Sequence, residues 1–221
     1  MLALCKKYNS TPAVMIALLS SRAIKSVYSD AIKPIVCCVS VDRRKALNRK
    51  NTFRNCIGGA MLSYNGDTEK LSLENQSDVL KKQLELQKDE NYIKSRVNSY
   101  IEKFKNSDNK TEYVVRREYS SFFANKNFST FLLSYPGKID FGECNKSVAA
   151  VSLYTSGIKG LSINMIAAAD KFFIDIVSDF ETQDIVMALI REFAVNGLAC
   201  SAGDLTPFDE DYGKLSRLRR K

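Results

Sequence analysis

The segment SYPGKIDFGEC (134–144) carries Asp140-Phe141-Gly142, a tripeptide whose aspartate binds magnesium in protein kinases. Kinase chemistry also needs a Gly-rich phosphate loop, an HRD catalytic segment and a strand-borne lysine. The chain contains no histidine, so HRD is impossible, and it has no GxGxxG. Hydroxyl and thiol nucleophiles normally depend on an adjacent base, most often an imidazole. None exists here to activate the many serines and cysteines. An unassisted thiol, with a pKa near about 8.5, stays mostly protonated at neutral pH. The paired glycines of NCIGGAM (55–61) lack the GK[ST] that completes a phosphate-binding loop. Asp209-Glu210-Asp211 sit near the C-terminus and read as a solvated acidic turn.

Metal chemistry has equally little to build on. A zinc site without histidine would need thiolates and carboxylates alone. Cys5, Cys37, Cys38, Cys56, Cys144 and Cys200 show no CxxC spacing. Adjacent Cys37 and Cys38 point to opposite faces of a strand, which suits neither a shared metal nor an ordinary disulfide. Reduced thiols in a cytoplasmic protein are the expectation, and no metal site is expected.

Charge is concentrated rather than spread. The chain of 221 residues carries a formal charge of +8. Much of the excess lies in VDRRKALNRKNTFR (41–54), where Arg43, Arg44, Lys45, Arg49, Lys50 and Arg54 face only Asp42, and in KLSRLRRK (214–221). Such segments meet phosphates or anionic surfaces, or simply form a solvated loop and tail. No C₂H₂, RNP or basic-zipper pattern is present, so nucleic acid is not an expected partner. The run PAVMIALLSSRAI is broken by Ser20, Ser21 and Arg22 and is too short to span a bilayer, so no membrane insertion is expected.

The elements that must position these residues are legible from periodicity. Ser10 or Thr11 caps a helix that starts at Pro12 and runs to about residue 28, with apolar content that implies burial. KPIVCCVSVDRR reads as a strand buried on both faces. CIGGAMLSYNG is a second strand, in which Gly58-Gly59 allow a bulge or a close backbone approach. Residues 75–106 form a long charged helix with a stripe of Ile93, Val97, Tyr100, Ile101 and Phe104, and Asp89–Asn91 mark a break. Strand-like runs follow at 128–135, 146–156, 160–170 and 171–179, with turns at Gly157, Lys159-Gly160 and Asp170-Lys171. A helix over 181–198 closes the pattern, with Gly197 at its C-cap. The order predicts one α/β domain, residues 1–221, with a mixed β-sheet covered by helices.

One constellation survives: a Thr-Pro-capped helix, a strand ending in VDRR, Asn55, then SYPGKIDFG. Its order and spacing resemble the C-terminal half of condensation-domain-like, CoA-dependent acyltransferases, of the alcohol acetyltransferase and polyketide-associated type. VDRRKAL…FRNCIG is similar to that family's vnlR…GN region, and SYPGKIDFG to the strand leading into its DFGWG motif. The likeness spans about residues 8–198. It implies a single lobe of the chloramphenicol-acetyltransferase-like two-lobe sandwich, followed by a basic tail. The family's base is the histidine of HHxxxD in the other lobe, which this chain lacks, and DFGEC replaces DFGWG.

The resemblance therefore implies half of an enzyme that moves an acyl group from a thioester to a hydroxyl or amine, inactive alone. It makes Ser134 a possible donor to the oxyanion and Tyr135 and Asn55 substrate-binding residues; strand alternation sends only one of Ser134 and Tyr135 into the channel. It makes Asp140 structural, paired with Arg43 or Arg44, though a plain turn at Asp140-Phe141-Gly142 is the alternative. No cofactor is expected in this chain alone. A coenzyme A thioester, or a carrier-bound acyl group, is the substrate once a histidine-bearing lobe completes the site, and the basic 43–54 loop is a further candidate to meet the CoA phosphates. The other expectation is a non-catalytic binding or scaffolding module that self-associates, as a homodimer, through the orphaned lobe interface.

Overall fold

The computed structural model describes residues 1–30, 33–105, 129–153, 160–179 and 183–202. The basic tail, the acidic turn at 209–211, the loop expected after the long helix and the turn at Gly157 lie outside them.

A short helix, α1 (Leu2–Lys7), leads into α2 (Pro12–Val27). The Thr11 hydroxyl accepts from the Val14 N–H at 3.4 Å and Pro12 occupies the first turn, so the expected start is the observed one. Strands β1 (Ile35–Asp42) and β2 (Ile57–Tyr64) form an antiparallel pair joined by the basic loop. A single turn, α3 (Gly66–Glu69), precedes α4 (Leu73–Lys88) and α5 (Glu90–Lys105). The chain leaves helical geometry at Asp89 (φ −58°, ψ 137°), whose carboxylate accepts from the Tyr92 N–H at 2.9 Å and starts α5. The expected break is therefore real. Strand β3 (Phe131–Ser134), a 3₁₀ turn (Gly142–Ser147), β4 (Leu161–Ala168), β5 (Lys171–Ser178) and α6 (Asp184–Val195) complete the order.

The five strands lie in the order β2-β1-β3-β4-β5. Strands β1, β3 and β4 are parallel, and β2 and β5 flank them antiparallel. The sheet is mixed, as the α/β reading requires. Ala169 and Asp170 both take positive φ (46° and 59°) in a two-residue turn that joins β4 to β5, the geometry that matches strand twist. Gly197, at φ 71°, ends α6 and lets the Leu198 N–H reach the Phe193 carbonyl at 2.8 Å.

Two expectations are corrected. Strand β1 is not buried on both faces: Ile35, Cys37, Val39 and Val41 enter the core, while Ser40 and Asp42 are exposed. Its β-branched composition specified a strand, but α2 covers it on one side only. The strand buried on both faces is β4, whose residues Leu161 to Ile166 are all buried. The described part of 146–156 is no strand either, because the 3₁₀ turn ends at Ser147 and residues 148–153 have no regular structure. Parallel β3 and β4 cannot be joined by a hairpin, so a crossover runs between them. Its Leu153 N–H donates to Asp175 Oδ2 at 2.6 Å, which places that residue over the sheet face opposite the helices.

Helix α2 is the axis of the covered face. Val14 to Leu19, Ala23 and Ile24 are buried, packed between α4, α6 and the sheet. Each such large aliphatic side chain contributes roughly 1.5–3 kcal/mol by leaving water. Arg22 is the one charge inside this stretch. Its Nε donates to Glu192 Oε2 on α6 at 2.9 Å and its Nη1 to Gln76 Oε1 on α4 at 3.2 Å. Gln76, almost fully buried, passes its Nε2 hydrogens to the carbonyls of Glu69 and Leu71, both at 3.0 Å. Arg22→Ala leaves a carboxylate and an amide oxygen without their donor in a half-buried layer, a loss of about 1.5–3 kcal/mol. Urea denaturation should show it, with a positive coupling between Arg22→Ala and Glu192→Ala. A midpoint equal to wild type would mean that the network is idle.

Candidate functional site

All six residues singled out above, or the segments that carry them, collect at one end of the sheet. Strand β1 delivers Arg43 and Arg44 just past its carboxyl end at Asp42. Because β2 runs the other way, its start at Ile57 lies opposite Asp42 and brings Asn55 beside them. Parallel β3 ends at Ser134 and hands on to Tyr135 at the same end. Beyond Pro136 and Gly137 the chain rejoins the sheet, where Lys138 bridges to Ala167 near the end of β4 and the Ile139 N–H donates to the Ala167 carbonyl at 2.8 Å. Asp140 follows directly. Open α/β sheets bind ligands at the carboxyl ends of their parallel strands.

A cleft of about 290 Å³ opens there, walled by Thr11 at the start of α2, Val39 and Val41 of β1, Lys81 and Lys88 of α4, and Tyr135. Strand alternation decides between Ser134 and Tyr135. Phe131, Leu133 and Tyr135 share the helix-covered face, so Tyr135 enters the cleft, where its ring lies 6.3 Å from that of Phe172. Ser134 takes the opposite face, directly across from Asn164, which in turn faces Asp175 on β5. The volume suits a short acyl or acceptor group and is too small to enclose a coenzyme.

The remaining candidates have local partners. Asn55 Oδ1 accepts from the Ile57 N–H at 2.9 Å and starts β2. Arg44 binds Asp42 at 3.0 Å and reaches the carbonyls of Thr52 (3.3 Å) and Arg54 (3.5 Å), which shapes the basic loop. Arg43 Nη2 donates to the Gly59 carbonyl at 3.1 Å, and its Cζ lies 2.1 Å from where a Cβ on Gly58 would stand. Gly58 is thus the close approach, and the β1–β2 register is unbroken, so no bulge forms. The pairing of Asp140 with Arg43 or Arg44 does not occur, since both guanidinium groups are committed to the 43–59 segment. Asp140 Oδ1 instead accepts from Asn145 Nδ2 at 2.6 Å and the Gly142 N–H at 2.9 Å, with Gly142 at φ 59°. It is the turn, the alternative reading of that tripeptide.

The charges on the cleft wall are of both signs. The titratable groups of the cleft are Lys81, Glu85, Lys88 and Tyr135. Lys81 is tied to the Asn9 carbonyl at 2.8 Å. Burial, with a smaller push from Cys5, raises the Tyr135 phenol above its ordinary value, so it remains protonated. Burial likewise raises the thiols of Cys5, Cys37 and Cys38, which keeps them from nucleophilic use. Among the described residues no cluster of Cys, Asp or Glu could hold a metal, and no helix is long and apolar enough to cross a membrane.

Sequence reasoning missed Lys81, Glu85 and Lys88, whose charges read there as a solvated face. Their spacing of four and three residues around inward-facing Leu84 was the available signal. Compared with known protein families, curated proteins and solved structures, the chain matches none.

Asp140 yields a pH test. Its carboxyl is held below the ordinary aspartate value by the Asn145 amide first and the Gly142 N–H second. A depressed native pKa stabilises the fold above the unfolded pKa, and that contribution is lost as pH falls through the native value. Asp140→Asn should therefore be slightly less stable than wild type at neutral pH, with the gap closing in acid. Paired denaturation curves from pH 7 down to about pH 2 check this; a gap that widens in acid contradicts it.

Proposed function

We propose that this chain is one lobe of a CoA-dependent acyltransferase, the C-terminal half of the two-lobe chloramphenicol-acetyltransferase-like sandwich. The observation that carries the reading is the gathering of the candidate residues at the carboxyl end of β1 and β3, beside a cleft of acyl-group size. The lobe supplies binding and orientation. Tyr135 and the β1 valines wall the cleft, and Tyr135, the member of the Ser134–Tyr135 pair that faces it, offers its phenol O–H to the oxyanion of the tetrahedral intermediate, a role that Ser134 on the opposite face of the sheet does not reach. A well-placed donor of that kind is worth about 2.7–4 kcal/mol.

The proton acceptor has to come from elsewhere. As the hydroxyl or amine attacks the thioester carbonyl, a base takes its proton; collapse then expels the coenzyme thiolate, which takes the proton back. With no histidine in the chain and its buried thiols and phenol held protonated, the base belongs to a complementary histidine-bearing lobe. The free cysteines accord with a cytoplasmic setting.

The purified chain, incubated with acetyl-CoA and a range of alcohols and amines, should release no thiol above the buffer rate. Turnover should appear on adding a lobe that carries HHxxxD, and Tyr135→Phe should cut that turnover by about 10²–10³-fold. Clear turnover by the isolated chain refutes the assignment of the base. An unchanged rate for Tyr135→Phe refutes the role of the tyrosine.

A second reading has its own observation. Phe53 (105% exposed), Ile57 (51%) and Phe141 (40%) are presented in the loop before β2, at its start and in the turn after β3. An apolar group of this kind suits a scaffolding module that pairs with a second copy. Equilibrium sedimentation of the isolated chain separates the two, because the scaffold requires a dimer and the lobe does not.

A further inference from the structure

Strand β2 is an edge of the sheet, and its segment IGGAMLSY (57–64) has no charge and no proline. An uncharged apolar edge is a template for pairing with another strand. Its outward-facing groups belong to Met61 and Ser63, since Leu62 and Tyr64 pair inward in the alternating antiparallel pattern. Two glutamines of α4 occupy them. Gln83 Oε1 accepts from the Ser63 N–H at 2.7 Å and its Nε2 donates to the Ser63 carbonyl at 3.2 Å. Gln87 repeats the arrangement on Met61, at 2.8 and 2.7 Å. Arg43 extends the cover to the Gly59 carbonyl.

The fit is geometric. Residues four apart on a helix advance about 6 Å, and residues two apart on a strand advance about 6.6–6.8 Å. Two side-chain amides on one helix face can therefore imitate the donor–acceptor pattern of a neighbouring strand over one full repeat. Gln87 Nε2 also donates to the Gln83 carbonyl at 3.1 Å, which fixes the amide plane.

We propose that the outer edge of β2 is a strand-pairing surface held shut by Gln83 and Gln87, and that its occupant on release is β2 of a second copy of this chain. Antiparallel pairing of two such edges would join the sheets into one of ten strands. The self-complementary partner follows from the strand itself, whose own residues carry no charge, with Arg43 reaching only its Gly59 end, and whose outward N–H and C=O groups recur at every second residue. The clasp is independent of any acyltransferase role.

The test compares wild type with Gln83→Ala/Gln87→Ala by sedimentation velocity over a range of concentrations, with circular dichroism as the check on folding. The expected result is a folded variant whose sedimentation shifts to dimers or larger species at concentrations where wild type shows no such shift. Adding Met61→Pro to the double variant removes the outward N–H without breaking a β1–β2 ladder bond, and should abolish the shift. A folded double variant that sediments as wild type overturns the proposal, as does association that survives Met61→Pro. Loss of the circular dichroism signal in the double variant overturns it too, because the amides would then be supporting the fold rather than guarding its edge.

Discussion

A single guanidinium sets the arrangement of the helical layer. Arg22 lies in the middle of a helix otherwise apolar from Val14 to Ile24, and it reaches α6 through Glu192 and α4 through Gln76. Hydrophobic burial would hold α2 on the sheet at many rotations and offsets, because it is not directional. Charge-assisted hydrogen bonds to two partners on two other helices select one of them. Gln76 then extends the selection to the start of α4 through the carbonyls of Glu69 and Leu71. With the phase of α2 set, Thr11 at its amino end and Lys81 and Lys88 on α4 come to the carboxyl ends of β1 and β3, where the cleft opens.

The one-sided cover has consequences along the whole sheet. Helices α2, α4 and α6 cover one face, so β1 alternates between buried and more exposed positions even though its sequence is rich in β-branched residues. On the other face the crossover residue Leu153 is tied to Asp175 of β5, and Ser162 and Asn164 of β4 are buried. Over β1 it stays open, with Ser40 and Asp42 exposed. Ser134 sits on that same face, while Tyr135, one residue on, is committed to the cleft.

Much of this was readable in advance, and the exceptions share a cause. The Thr11 cap, the break at Asp89 and the Gly197 terminus are local, determined within a few residues by capping and backbone preference. Two-sided burial of β1 and the strand at 146–156 depended on where distant helices and strands lie, which periodicity does not carry. The pairing of Asp140 with an arginine failed for a related reason. A short polar side chain in a turn finds its nearest amides first, and Asn145 and the Gly142 N–H are closer in the chain than any guanidinium. The site was legible as a set of residues at one end of a sheet, because each follows a strand end. Lys81, Glu85 and Lys88 were not, since nothing local distinguishes a helix charge beside a cleft from one in water.

The chemical character of the cleft follows from the same burial that makes the fold. General bases work when their pKa lies near the operating pH. Here desolvation moves the available thiols and the Tyr135 phenol away from that range, toward permanent protonation. An imidazole would titrate where these groups do not, and the chain has none. A site shaped like this can select and orient a ligand, its phenol can donate to developing negative charge, and Glu85 is the carboxylate on its wall.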